Sequence, residues 1–149
     1  MKIAVVTGAS SGIGREFVRQ IAQEGGVDEI WAIARRKERL EALAKEVSSP
    51  VRPVPMDLLE PDSVKGLYRM LKEEKAQVEI LVNASGFGKY GTYRDLTMKE
   101  IDDMIDLNCK QLVHMTYGCL PFMKRGARII LMGSSSAFQP LPEFNMYAS

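Results

Sequence analysis

The chain has 149 residues, with 20 Lys plus Arg against 19 Asp plus Glu and a formal net charge of +1. No basic run exceeds Arg35-Arg36-Lys37, so bulk attraction to nucleic acid or to an anionic membrane surface is excluded. The length suits one domain, 1–149, with a substantial core.

Ile3-Ala4-Val5-Val6 reads as a short buried strand, too short for a signal peptide or a membrane span. Thr7-Gly8-Ala9-Ser10-Ser11-Gly12-Ile13-Gly14 follows it. Beyond lie apolar residues at helical spacing: Ile13, Phe17, Val18, Ile21 and Ala22. Strand, glycine turn and helix in that order make a phosphate cradle. The helix N-terminus offers unpaired N–H groups and partial positive charge, and glycine removes the Cβ that would keep a phosphate away. Gly8, Ser10, Ser11, Gly12, Ile13 and Gly14 are therefore expected to hold a dinucleotide.

Glu24-Gly25-Gly26 ends the first helix, and Asp28 to Ala34 reads as the second strand. An acid at the tip of this strand, about 20 residues past the glycines, would hold the ribose 2′-hydroxyl of NAD. Ala34 occupies that place, and Arg35 and Arg36 follow. A guanidinium binds a 2′-phosphate that an acid would repel, so the spacing predicts NADP rather than NAD. The plainer alternative is that Arg35, Arg36 and Lys37 open a solvated helix. Leu40, Leu43, Ala44 and Val47 form that helix's apolar stripe.

The third strand, Val51 to Met56, carries Pro53 and Pro55, whose missing N–H groups point the same way and place it at a sheet edge. Asp57 ends it, and Pro61 suits the first position of a third helix bearing Val64, Leu67, Tyr68 and Leu71. The fourth strand, Val78 to Val82, runs into Asn83-Ala84-Ser85-Gly86-Phe87-Gly88, a loop where ligands bind in open α/β sheets.

Thr97 and Glu100 predict a capping box opening a fourth helix, whose buried face is Ile101, Met104, Ile105, Leu112, Met115 and Cys119. Asn108 falls in line with that face, as a polar residue that needs partners, and His114 is expected to pack on or beside the helix. No metal-ligand spacing surrounds His114, and no metal site is expected. Cys109 and Cys119 lie about 15 Å apart along this helix, too far to bridge. Two free thiols suit a cytoplasmic protein.

A fifth strand, Ala127 to Met132, empties into Gly133-Ser134-Ser135-Ser136. A loop with Pro140 and Pro142 then leads to Asn145-Met146-Tyr147-Ala148-Ser149. Phe138 to Phe144 suggests an apolar pocket wall. Alternating strands and helices with near-continuous apolar strands predict an α/β fold, a doubly wound parallel sheet of Rossmann type in strand order 3-2-1-4-5.

Taken together, these residues resemble the short-chain dehydrogenase/reductase family over essentially the whole chain. The glycine turn is similar to the family's Thr-Gly-x-x-x-Gly-x-Gly motif. The resemblance implies that Asp57, with Leu58 beside it, binds the adenine amino group. It implies that Asn83, Ala84, Ser85 and Gly86 stand where the family has Asn-Asn-Ala-Gly, with Ala84 and Ser85 as departures. Asn108, Ser134 and Tyr147 match catalytic positions, Ser134 lying thirteen residues before Tyr147. The family's lysine, four residues after the tyrosine, would fall two beyond Ser149.

The resemblance thus implies an NADP-dependent oxidoreductase moving hydride between nicotinamide and a small-molecule carbonyl or alcohol substrate. Tyr147 would be the acid/base, Ser134 would bond the substrate oxygen, and Asn108 would hold a water on a proton path to the lysine. Lowering a phenol pKa from about 10 toward 7 takes roughly 4 kcal/mol, for which a nearby cation is the source. The chain is expected to be the N-terminal part of a member, truncated after strand five, without strands six and seven and the substrate segment. The alternative is a catalytically incomplete nucleotide-binding or interaction module. Strand five, apolar apart from Arg128, would then present an open edge and favour a homo-oligomer.

Overall fold

The computed structural model describes residues 1–139 and 141–149; Pro140, in the loop before Tyr147, lies outside the described residues. One five-stranded sheet runs β3-β2-β1-β4-β5, with every neighbouring pair parallel. Its strands are β1 Lys2–Thr7, β2 Glu29–Ala34, β3 Val51–Pro55, β4 Gln77–Asn83 and β5 Arg128–Leu131. The helices are α1 Gly12–Glu24, α2 Lys37–Glu46, α3 Ser63–Glu73, α4 Met98–Ile105, α5 Gln111–Cys119 and α6 Asn145–Ala148. A π-turn, Asp106–Lys110, joins α4 to α5.

Strand residues alternate between two apolar layers, as a period of two requires. Ala4, Val6, Ile30 and Ala32 pack with Val18 and Ile21 of α1 and Leu40 and Leu43 of α2. Ile3, Val5, Trp31 and Ile33 pack on the opposite face with Leu67 and Leu71 of α3 and Met115 and Cys119 of α5. Burial on both faces explains why the strands read as unbroken apolar runs. Trp31 is fully buried with its indole N–H donating to Glu29 Oε2 at 2.7 Å, and the Arg52 guanidinium stands 4.8 Å from its ring centre. Burial pushes the Cys119 thiol up to about 12, which makes it an inert core residue.

The prolines of β3 behave as their spacing demands. Met56 N–H donates to Ala34 O at 2.9 Å, so Pro53 and Pro55, of opposite parity, turn their nitrogens away from β2. At the other edge β5 pairs with β4, and Ile129, Leu131 and Met132 are exposed among the described residues. No helix is long and apolar enough to cross a membrane.

Three expectations are corrected. Pro61 precedes α3 by two residues. The chain first closes a turn in which Leu59 N–H donates to Asp57 Oδ1 at 3.0 Å and the Ser63 hydroxyl donates to the Asp57 carbonyl. Ile105 is 47% exposed, because it sits about 100° round the helix from the buried Met104. His114 is also exposed, since α5 presents Gln111, Met115 and Cys119 to the sheet at four-residue intervals.

The capping box of α4 is complete. Glu100 N–H donates to Thr97 Oγ1 at 3.2 Å, and Thr97 N–H donates to Glu100 Oε2 at 2.9 Å. The same carboxylate takes the Lys89 ammonium, fastening the loop after β4 to this helix start. That ammonium first, and the Thr97 N–H second, hold the Glu100 carboxyl down to about 2. A carboxyl depressed in the folded state contributes stability above its unfolded pKa and loses it as pH falls through the folded one. In acid titrations followed by circular dichroism, Glu100→Gln should therefore lose less stability than the unmodified chain between about pH 4.5 and about pH 2. Indistinguishable acid profiles would overturn the assignment.

Two glycines pack where a side chain cannot fit. A Cβ on Gly8, which has φ +67°, would lie 2.6 Å from the Ala84 carbonyl oxygen, and one on Gly14 would overlap the Gly8 carbonyl. Both neighbours are backbone, so neither can rotate aside. Gly14→Ala should cost at least about 2 kcal/mol, in the range of overpacking. Chemical denaturation checks this, and a cost near zero would mean that the turn relaxes freely.

Candidate active site

The carboxyl ends of β1, β2 and β4 open onto a cleft of about 530 Å³. The glycine turn forms its floor. Ala9 N–H donates to Ile33 O at 3.2 Å, which ties the turn to β2. Ser11 is the N-cap of α1 but makes no side-chain capping bond, and the first turn holds no acid. The helix N-terminal amides and their partial positive charge are thus left for an anion. Gly8, Ser10, Ser11, Ile13 and Gly14 line the cleft; Gly12, at φ +55°, shapes the turn from outside the lining. Ile13 belongs to the ligand side and not to the core stripe of α1, being 59% exposed and lining this cleft.

At the tip of β2, Ala34, Arg35 and Arg36 line the same cleft, and Arg36 Nη2 donates to Ser10 Oγ at 3.3 Å. A guanidinium therefore spans from the second strand to the glycine turn. Asp57 and Leu58 line the far end. One Asp57 oxygen is engaged by Leu59 N–H, leaving the other for a ligand.

The loop after β4 forms the wall between this cleft and a second one. Ala84, Ser85, Gly86 and Phe87 line both. Thr7 fixes the start of that loop, its Oγ1 accepting from Ala84 N–H and Ser85 N–H, each at 3.1 Å. Asn108 fixes its middle. Its Nδ2 donates to Phe87 O at 2.7 Å and its Oδ1 accepts from Phe87 N–H at 3.0 Å. A Cβ on Gly86 would come within 2.9 Å of that Oδ1, so a side chain there would push the amide from its place. Asn108 sits in the π-turn, a distortion often found at functional sites.

The second cleft, about 560 Å³, brings Asn108, Ser134 and Tyr147 together, three residues from three separate segments. Ser134 caps a short 3₁₀ turn, Ser135–Ala137, accepting from Ser136 N–H at 3.2 Å and donating to Ser136 Oγ at 3.1 Å. Tyr147 lies on α6, its ring stacked on Phe144. Among the described residues no hydrogen bond joins Ser134 to Tyr147. Lys89 follows Gly88, which abuts the Tyr147 ring, but its ammonium is turned to Glu100.

Asn83 is the site residue that the structure places elsewhere. It is buried outside both linings, and its Nδ2 donates to Thr116 Oγ1 at 3.2 Å, tying β4 to α5. The Asn108 side chain spends both ends of its amide on Phe87. Sequence reading missed the Thr7 fork, whose signal is a hydroxyl ending an apolar strand. It also missed the buried Gln111, whose Oε1 has no partner among the described residues.

The short chain dehydrogenase family model matches residues 2–149. An uncharacterised oxidoreductase of Staphylococcus epidermidis is 29% identical over 99% of this chain and 64% of its own length. Sulfoacetaldehyde reductase 2 of Chromohalobacter salexigens is 33% identical over 99% of this chain and 60% of its own. A short-chain dehydrogenase from Sphingobium yanoikuyae, solved in complex with NADPH, superposes with a TM-score of 0.85 at 27% identity, covering 99% of this chain and 59% of that one. This chain therefore spans about 64% or less of the length of these relatives. With its parallel sheet, its glycine turn and a family match over residues 2–149, the chain belongs to the short chain dehydrogenase family of oxidoreductases.

Proposed function

We propose that the chain carries the nucleotide site and the proton-transfer residues of an NADPH-dependent carbonyl reductase. The observation that carries the reading is Arg36 bonded to Ser10 across the nucleotide cleft, beside a β2 tip where Ala34 stands in place of an acid. The cradle fits a dinucleotide: Gly8 and Gly14 leave no room for a Cβ, and the α1 amides are uncapped by side chains. Gly8, Ser10, Ser11, Ile13 and Gly14 would hold the pyrophosphate, with Gly12 shaping the turn. Arg35 and Arg36 would hold a 2′-phosphate, Asp57 and Leu58 the adenine, and Ala84, Ser85 and Gly86 the ribose side. The NADPH complex of the Sphingobium relative supports this choice of nucleotide.

NADPH, when bound, supplies the hydride for carbonyl reduction. The chain's own residues serve the oxygen. Tyr147 gives the proton to the substrate oxygen, and Ser134 turns its hydroxyl from Ser136 to bond that oxygen. Asn108 keeps the loop wall in place through Phe87, so that both clefts keep their common border.

Fluorescence titration tests the nucleotide reading. Arg36→Ala should weaken NADPH by about 1.5–3 kcal/mol, the loss of a charge-assisted bond, and should change NADH little. Arg35→Ala should shift the same selectivity in the same direction. Equal affinity of the unmodified chain for the two nucleotides would sink the proposal. The chemistry is tested in the chain continued to the length of its relatives. There Tyr147→Phe should lower the carbonyl reduction rate by at least about a hundredfold while leaving NADPH affinity unchanged. Turnover that survives the substitution would remove Tyr147 from the mechanism.

A further inference from the structure

The far end of the nucleotide cleft carries an acid that belongs to no motif of the sequence. Asp103 of α4 lines that end together with Asp57, Leu58, Leu59 and Leu107. Asp57 comes from the turn after β3, so two carboxylates reach the same space from two separate elements. Asp103 is only 28% exposed, although it stands on a surface helix. Its neighbour Asp102 is exposed and stays outside the lining.

Each of the two acids keeps an oxygen free. Asp57 Oδ1 accepts from Leu59 N–H at 3.0 Å, and Asp103 Oδ2 is paired with the Lys99 ammonium at 2.5 Å. Among the described residues, neither Asp57 Oδ2 nor Asp103 Oδ1 has a hydrogen-bond partner. Lys99 answers to both acids. Its bond to Asp103 first, and Asp57 at longer range, raise its ammonium above the ordinary lysine value. One cation outside the lining thus offsets part of the charge of two acids inside it.

An ionised carboxylate can only accept hydrogen bonds. Two free acceptors among Leu58, Leu59 and Leu107 suit a flat apolar group that donates at its edge. The 6-amino group of adenine carries two N–H donors. A 6-oxopurine puts a carbonyl oxygen in the same place, where it would face carboxylate oxygens and be repelled. A site built around a donor rejects the analogue that lacks it, because its acceptors are then left unpaired.

We infer that Asp103 is a second residue that selects the base of the nucleotide, acting with Asp57 to take a 6-aminopurine and refuse a 6-oxopurine. The inference rests on the nucleotide reading above. It adds a specificity-determining residue on α4 and the feature of the base that it reads.

Fluorescence titration of the chain with NADPH and with its hypoxanthine analogue tests this. The two ligands differ only in the group at purine position 6. The unmodified chain should prefer NADPH at least about tenfold, the scale of one charge-assisted hydrogen bond. Asp103→Asn, whose amide can donate to a 6-oxo group, should cut that preference at least about threefold. Because the phosphates are identical, the ratio of the two affinities cancels any general change in charge or folding. Asp102→Asn makes the same charge change on the exposed neighbour and should leave the ratio where it was. An unchanged ratio in Asp103→Asn, an equal change in Asp102→Asn, or equal affinity of the unmodified chain for the two nucleotides would each overturn the inference. In all three cases NADPH still binds, and the nucleotide reading stands. Binding of neither nucleotide would overturn both.

Discussion

The close approach of the glycine turn to the end of β4 is the constraint on which the site depends. Gly14 packs on the Gly8 carbonyl, Gly8 packs on the Ala84 carbonyl, and Thr7 Oγ1 accepts from the two amides next in line. Backbone touches backbone at each step, so the geometry has no side-chain slack. This contact fixes where α1 begins, and hence where its free amides point. It also fixes where the β4 loop leaves the sheet. A nucleotide cradle and the wall behind it are set by one set of contacts.

That wall is then held from its other side. Asn108 uses both ends of its amide on Phe87, Glu100 takes the Lys89 ammonium, and Glu143 meets Gly91. Each anchor comes from a different segment: the π-turn, the α4 cap and the loop before α6. Glycines at 86 and 88 let those anchors come close. The residues that the proposed chemistry needs, Ser134 and Tyr147, arrive on segments far apart in sequence, and the anchored loop is the surface they meet.

Most of this architecture was legible wherever a residue pattern had one physical meaning. Paired prolines in β3 could only face an open edge, Thr97 with Glu100 could only cap a helix, and a glycine turn between strand and helix could only approach backbone. Reading failed where the outcome depends on packing partners. Ile13 has core chemistry but stands past the end of the sheet, and so faces the ligand side. Asn83 looks like a loop ligand but points at Thr116, because alternation along β4 turns it to the α5 side. The stacking of Tyr90 on Phe144 and of Phe144 on Tyr147 was invisible in sequence. Tyr90, Phe144 and Tyr147 carry no spacing that relates the first to the others, and only the loops joined by Glu143 and Gly91 unite them.

The two clefts differ in the groups that line them. The nucleotide side has guanidinium groups at the end that would meet phosphate and a carboxylate at the end that would meet adenine. A multiply charged ligand loses much hydration on binding, and fixed charges and amides replace it. The other side, behind the Gly86–Phe87 backbone, is lined by Leu112, Met132, Leu141 and Phe144 together with the Asn108 amide and the hydroxyls of Ser85, Ser134, Ser136 and Tyr147. In such surroundings a hydrogen bond to a developing oxyanion is stronger than in water, because the local dielectric is lower. One shared wall therefore borders both the proposed nucleotide cradle and the residues proposed for proton transfer.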